Sequence, residues 1–334
     1  MVSILSNKSI LITGGTGSIG EAIVKKALCD GAKRIRIFSN DENGLYHLEN
    51  ELENKRKLEF IIGDIRDEEM IDTIVKKIDI VFHTAALKHV DRCELNPSEA
   101  ITINTIGTKN LIKSALREKV KKVVSISTDK AVNPIGVMGA TKLLAEKLIA
   151  AEAFRHASAT IFTAVRFGNV INTRGSILPK IERQIQKGGP ITLTDKKMMR
   201  FFMTKDEAIN LILLATKIAK GGEIFVLKMP LVRLEDLFDC MKEVLAPKYG
   251  YKPTKIMTKI IGIRPGEKII EYLLNDFEME NILETKNFFI IPPLTSNKKI
   301  RYPNVRKPKN IKPYFTNLKP LKKKQIIKML KKVY

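Results

Sequence analysis

"LITGGTGSIGEAIVKKAL", residues 11–28, decides how the chain is read. Leu11 and Ile12 belong to a strand-like apolar run, Gly14, Gly17 and Gly20 follow at three-residue intervals, and apolar residues then recur at helical spacing. Such a turn lets the backbone approach a pyrophosphate, which rests on the unpaired N–H groups that open the helix. The glycine pattern alone is weak evidence. Its place after a strand and before a helix makes it a dinucleotide-binding expectation, carried by Gly14, Thr16, Gly17, Ser18, Ile19 and Gly20.

Outward from this turn, apolar runs recur at "SILITG", "RIRIFS", "LEFIIGD", "DIVFHTAA", "KVVSIST" and "ATIFTAVRF", with helical stretches between them such as "SEAITINTIGTKNLIKSALREK". Strands alternating with helices imply right-handed crossovers and a parallel sheet covered on both faces. The fold class is therefore α/β, a doubly wound parallel-sheet Rossmann domain with a smaller, interleaved C-terminal substrate domain. Residues 1–168 and 203–228 are assigned to the first, 169–202 and 229–295 to the second, and 296–334 to a basic C-terminal segment. Within the second domain "ILPKIERQIQKGG" reads as a helix, "PITLTD" as a strand, and "IIGIRPGEKIIEYLL" as strand, turn and helix.

Three more stretches sharpen the dinucleotide site. Asp64 and Ile65 follow the third strand, where the carboxylate can accept from an adenine amino group, and Ala85 and Ala86 leave room for a cofactor to lie close. At the end of the second strand Ser39 and Asn40 can bond a ribose 2′-hydroxyl or 2′-phosphate, whereas Asp41 opposes a phosphate by charge. NADP and NAD both stay open, NADP slightly ahead.

With 334 residues, 44% hydrophobic and 28% charged, the chain can bury a substantial core. No apolar run approaches the roughly 18 residues of a membrane span, and no cleavable signal opens the sequence, so a soluble, cytoplasmic protein is expected. Cys29, Cys93 and Cys240 are far apart and only four histidines are present, so neither a disulfide framework nor a metal site is indicated. The net charge is +23, but residues 295–334 hold 14 Lys and Arg and no Asp or Glu, and subtracting them leaves +9 for the rest. Within this tail Ile326, Ile327, Leu330 and Val333 sit at helical spacing, as in a short amphipathic helix. A solvated Lys-rich outer face is the plainer reading and contact with an anionic surface the alternative; nucleic acid is not expected.

"STDKAVNPIGVMGATK", residues 127–142, places Thr128, Asp129 and Lys130 just past the fifth strand and Met138 and Lys142 four residues apart on a helix. Together with "TGGTGSIG", "AALKHVDRCE", "RFGNV", "MMRFFMTKDEA", "GGEIFVLKMP" and "IGIRPGEK", these motifs resemble the extended short-chain dehydrogenase/reductase superfamily, and within it the UDP-N-acetylglucosamine 4,6-dehydratases of polysaccharide and glycan biosynthesis. The resemblance runs nearly end to end. It departs at Met138, where much of the family has tyrosine although a subgroup has methionine, and at Ile270, where relatives often have histidine.

The resemblance implies a tightly bound, recycled NADP or NAD, a UDP-sugar substrate and a homo-oligomer. By analogy Lys130 takes the sugar C5 proton, Asp129 protonates the leaving C6 hydroxyl, and Lys142 reaches the nicotinamide ribose. Lys88, His89, Asn169, Arg200, Arg264 and Glu267 match the family's sugar-nucleotide contacts, with Lys88 also beside the cofactor. For Lys130 to act near neutral pH its pKa must fall by roughly three units, with Lys88 and Lys142 as sources of repulsion. Methionine has no ionisable proton, so the C4 hydroxyl proton must leave through Asp129 or a water. Asn104 reads equally as structural or water-binding. A UDP-hexose 4-epimerase, which needs no base at C5, and a non-catalytic dinucleotide-binding scaffold are the competing expectations.

Overall fold

The computed structural model describes residues 3–53, 55–155, 159–293 and 318–334, with residues 302, 305–308, 311 and 315. Most of the Pro- and Lys-rich linker expected at about 296–320 lies outside them. The first half alternates as the sequence pattern requires: β1 (Ser9–Thr13), α1 (Ser18–Cys29), β2 (Arg34–Ser39), α2 (Glu42–Glu51), β3 (Leu58–Ile62), α3 (Glu68–Ile74) and β4 (Ile80–His83). Asp41 and Asp67 cap α2 and α3 by accepting from Gly44 N and Met70 N. Every residue of β1 and β4 is buried, as expected of parallel strands covered on both faces.

The crossover after β4 holds α4 (Val90–Leu95), α5 (Pro97–Ile101) and α6 (Gly107–Arg117). Between α5 and α6 a π turn at Thr102–Ile106 interrupts what the sequence presents as one helix. Its buried Asn104 accepts from Leu87 N at 2.8 Å and donates to Leu87 O and to Thr141 Oγ1, each at 3.0 Å. Asn104 thus pins the loop after β4. Then come β5 (Lys122–Thr128), α7 (Val137–Arg155), β6 (Ile161–Phe167), β7 (Asn169–Val170), α8 (Ile177–Gln186), β8 (Ile191–Leu193) and β9 (Met199–Met203). The chain continues through α9 (Lys205–Ile218), β10 (Ile224–Leu227), β11 (Leu231–Arg233), α10 (Leu234–Leu245), β12 (Thr258–Ile260), α11 (Asp276–Asn281), β13 (Leu283–Glu284), β14 (Phe288–Ile291) and α12 (Lys323–Leu330).

The main sheet runs β13-β14-β10-β6-β5-β4-β1-β2-β3, parallel from β10 to β3, with β14 and β13 antiparallel at one edge. Small sheets β11-β9-β7 and β12-β8 lie in the second half. There a separate apolar cluster joins Leu178 and Ile181 of α8, Leu193 of β8, Phe238 and Met241 of α10, and Ile326 and Leu330 of α12. The tail helix therefore spends its apolar face on this core. Among the described residues no helix is long and apolar enough to cross a membrane.

The helix expected after Arg264 does not form. Ile269 O accepts instead from Met199 N, at 2.9 Å, and Ile270 makes a β-bridge with Met199. Leu273 O accepts from Arg166 Nη1 at 3.0 Å. These carbonyls bond to β9 and β6 rather than to N–H groups four residues on, so the segment follows the neighbouring strands instead of coiling.

Arg166, on β6 and fully buried, donates Nη2 to Glu146 Oε2 of α7 at 2.6 Å and to Glu278 Oε1 of α11 at 2.8 Å. Glu278 also closes a capping box with Asn275. Arg166→Met leaves two buried carboxylates without their cation, and equilibrium denaturation is expected to show a loss of about 3–5 kcal/mol.

Candidate active site

A cleft of about 550 Å³ opens at the carboxyl ends of the parallel strands. The turn after β1 forms one side, and glycine is required there on geometric grounds. Gly14 has φ +66°, and a Cβ would lie 2.7 Å from Ala85 N. A Cβ on Gly20 would lie 2.3 Å from Gly14 O. The turn thus packs backbone on backbone and offers main-chain N–H groups at the start of α1.

All the residues expected at a dinucleotide line this cleft: Gly14, Thr16, Gly17, Ser18, Ile19 and Gly20 from the turn, Ser39, Asn40 and Asp41 from the end of β2, and Asp64, Ile65, Ala85, Ala86, Lys88 and Lys142. Several are already engaged. Ser39 Oγ lies 2.8 Å from Thr16 Oγ1 and accepts from Asp41 N, while the Asp41 carboxylate caps α2. Both Asp64 oxygens take the Arg66 fork, at 2.9 and 2.6 Å, which holds that carboxyl below its ordinary range against the opposing effect of burial. Arg174, which the motif reading passed over, reaches back to the turn: its N–H donates to Ser18 Oγ at 2.9 Å and its guanidinium to Thr16 O. Lys88 Nζ in turn donates to Arg174 O at 2.6 Å.

Thr128, Lys130, Met138, Lys142, His89 and Asn169 line the other end. Met138 is buried against Cys93 and Ala100, one helical turn before Lys142. Lys142 Nζ donates to Ile126 O at 2.5 Å. Burial lowers its pKa to about 8 despite the opposing charge of Glu146.

Asp129 is placed differently from expectation. It is fully buried and absent from the cleft wall, reached only through its neighbours: Thr128 Oγ1 donates to Asp129 Oδ1 at 3.1 Å and Lys130 Nζ at 2.9 Å. Its other oxygen, Oδ2, has no hydrogen-bond partner. Lys130 also differs from expectation. Burial works against its charge, but Asp129 and Glu271 outweigh it, so its pKa is raised rather than lowered. The cation that presses on it is Arg200, not Lys88 or Lys142.

Three of the residues expected at the sugar nucleotide, Arg200, Arg264 and Glu267, are not among those that line the cleft. Arg200, nearly buried on β9, donates Nη1 to Met199 O and Ile269 O at 2.8 and 3.2 Å. Arg264 and Glu267 hold each other across one turn, Arg264 N donating to Glu267 Oε2 at 3.3 Å. The residue that sequence reasoning missed is Glu271, whose Oε1 lies 3.6 Å from Lys130 Nζ. Its only signal is a single carboxylate in the apolar run "IIEYLL".

The depressed Lys142 sets a pH dependence. Its folded value, about 8, lies below the 10.5 of an unperturbed lysine, so between those values the unfolded chain binds more protons and stability rises with pH. Denaturation of the protein and of Lys142→Met across that window is expected to show a gain of up to about 3 kcal/mol that only the parent has.

The sequence profile of the family described as "Polysaccharide biosynthesis protein" matches residues 10–293. A Methanocaldococcus jannaschii protein described as an uncharacterized membrane protein is 53% identical over 301 residues, covering 89% of this chain and 90% of the relative. UDP-glucose 4-epimerase of Rickettsia rickettsii is 39% identical over 291 residues, 86% of this chain and 83% of that one. Among solved structures, Pen from Bacillus thuringiensis superposes with a TM-score of 0.89 at 41% identity, covering 98% of each chain. A match that runs from within β1 past the end of β14 takes in both ends of the cleft, and the chain belongs to the polysaccharide biosynthesis protein family.

Proposed function

We propose that the chain is a 4,6-dehydratase of UDP-N-acetylglucosamine, working through a tightly held NADP or NAD and releasing a UDP-4-keto-6-deoxy sugar. The observation that carries this reading is the joining of Thr128, Asp129 and Lys130 into one hydrogen-bonded group at the cleft, whose lining also includes Lys142 and, among the described residues, no tyrosine. The glycine turn and its helix N-terminus fit a dinucleotide pyrophosphate, since the turn tolerates no side chain at Gly14 or Gly20. A bound nicotinamide would supply a reversible hydride acceptor for sugar C4 and a hydride donor for C6.

The protein's own residues then handle protons. Met138 cannot accept one; Thr128, which lines the cleft and donates Oγ1 to Asp129 Oδ1, is the relay from the C4 hydroxyl to that carboxylate. Lys130, once its ammonium proton has passed to water in the cleft, takes the C5 proton and later returns one to C5, while the proton gathered on Asp129 passes back through Thr128 to the C6 hydroxyl, which leaves as water. Net proton uptake is zero. Lys142 orients the nicotinamide ribose. Arg200, Arg264, Glu267, His89, Lys88 and Asn169 remain assigned to the sugar nucleotide by the motif resemblance, although the first three are not among the residues that line the cleft.

A second reading, 4-epimerisation, is favoured by the name of the Rickettsia relative, because both reactions begin with oxidation at C4. Epimerisation leaves C5 untouched and gives the buried Asp129–Lys130 pair no work.

Purified protein incubated with UDP-N-acetylglucosamine in heavy water, with no added cofactor, is expected to give a C6 methyl proton signal and deuterium at C5. A C4-inverted sugar with C5 unlabelled would replace this reading with the epimerase. Asp129→Asn is expected to slow turnover by about 100-fold or more while leaving dinucleotide binding unchanged.

A further inference from the structure

Glu271 reaches the catalytic pair from the irregular segment that takes the place of the expected helix. Its carboxylate is buried, 3% exposed. Three cations surround it: Lys130 Nζ at 3.6 Å, Lys268 Nζ at 3.6 Å and Arg200 Nε at 3.9 Å. None of these is a hydrogen bond, and Oε2 has no hydrogen-bond partner among the described residues. Lys130 therefore stands between two buried carboxylates, each with one unpartnered oxygen.

We propose that Glu271 is a positioning residue for the proton chemistry: with Asp129 it holds Lys130 as an ammonium ion in the resting enzyme, and so delays its action as a base until oxidation at C4 has begun. This rests on the dehydratase reading above. The C4 hydroxyl proton, arriving on Asp129 Oδ1 by way of Thr128, cancels one of the two negative charges beside Lys130. Glu271 is then the remaining carboxylate opposing loss of the ammonium proton, which passes to water in the cleft that Lys130 lines. The free amine takes the C5 proton, a proton is later returned to C5, and Lys130 is reprotonated from water, so none is gained or lost overall. The groups facing Lys130 come from three elements: Asp129 from the turn after β5, Arg200 from β9, and Glu271 and Lys268 from the 268–271 segment. The two carboxylates outweigh burial and Arg200 in raising the Lys130 pKa. Lys268 is further tied to Val132 O at 2.5 Å, which fixes its distance from Glu271.

The test follows Lys130 directly, by the pH dependence of its reductive methylation, read by mass spectrometry in the full-length protein, alongside C5 deuterium incorporation from UDP-N-acetylglucosamine. Glu271→Gln keeps the shape and removes the charge, and is expected to lower the Lys130 midpoint by about one pH unit or more. The acid limb of the C5-exchange profile should move the same way, with KM little changed. Glu271→Asp should restore most of the shift. Lys268→Met, which removes a cation competing for Glu271, should raise the midpoint and serves if Glu271→Gln does not fold. A Lys130 midpoint that stays in place in the folded variants, whatever happens to Tm, would make Glu271 a packing residue and overturn the proposal. A shifted midpoint in a protein that shows no C5 exchange even as the parent would uphold the hold on Lys130 and remove the dehydratase reading instead.

Discussion

The buried guanidinium of Arg166 is the contact on which the site's geometry depends. It sits on β6, beside β5, and grips Glu146 on α7 and Glu278 at the start of α11. The first grip fixes the helix that carries Met138 and Lys142. The second, with the bond to Leu273 O, fixes the segment that delivers Glu271. Two carboxylates sharing one guanidinium are bearable in the interior because each donor has an acceptor in line. Ser127 Oγ adds a bond to Glu146 Oε1 at 2.5 Å, so the end of β5 joins the same network. Parts of the chain more than 100 residues apart are thereby held against one strand.

Two lysines on this frame meet opposite electrostatic fates. Lys142 is buried with a backbone carbonyl for a partner and Glu146 already neutralised by Arg166, so desolvation prevails and its pKa falls to about 8. Lys130 is flanked by Asp129 and Glu271, and their charge prevails over desolvation. Lysine is suited to both roles because its ammonium responds strongly to burial and counter-charge, as arginine does not. Methionine between them adds bulk and no proton. That leaves the hydroxyl of Thr128 and the amine of Lys130 as the protic groups joined to Asp129 from the cleft lining.

Much of this was legible in the sequence. The six strands of the first half and the glycine turn are local signals: period-two or continuous apolar runs, and a spacing of glycines that only a strand-to-helix turn uses. The C-terminal helix was legible for the same reason, Ile326 and Leu330 falling on one face. The segment after Arg264 was misread because helical periodicity in "EKIIEYLL" was outweighed by distant acceptors and donors, Met199 and Arg166, which no local window contains. The single helix drawn through residues 98–119 failed more mildly: the π turn that aims Asn104 at Leu87 leaves no mark on the apolar pattern.

The sequence by itself determined the doubly wound sheet, the position of the glycine turn and the presence of an Asp–Lys pair past β5, because each is set by residues within a few turns of one another. Only the tertiary structure decided which groups meet the cleft and in what charge state. Bringing Glu271 against Lys130 and tying Arg200 to the segment after Arg264 depend on contacts between segments some 70 to 140 residues apart. A lysine's pKa is a property of that assembled surrounding, of desolvation set against nearby charge, and not of its neighbours in the chain.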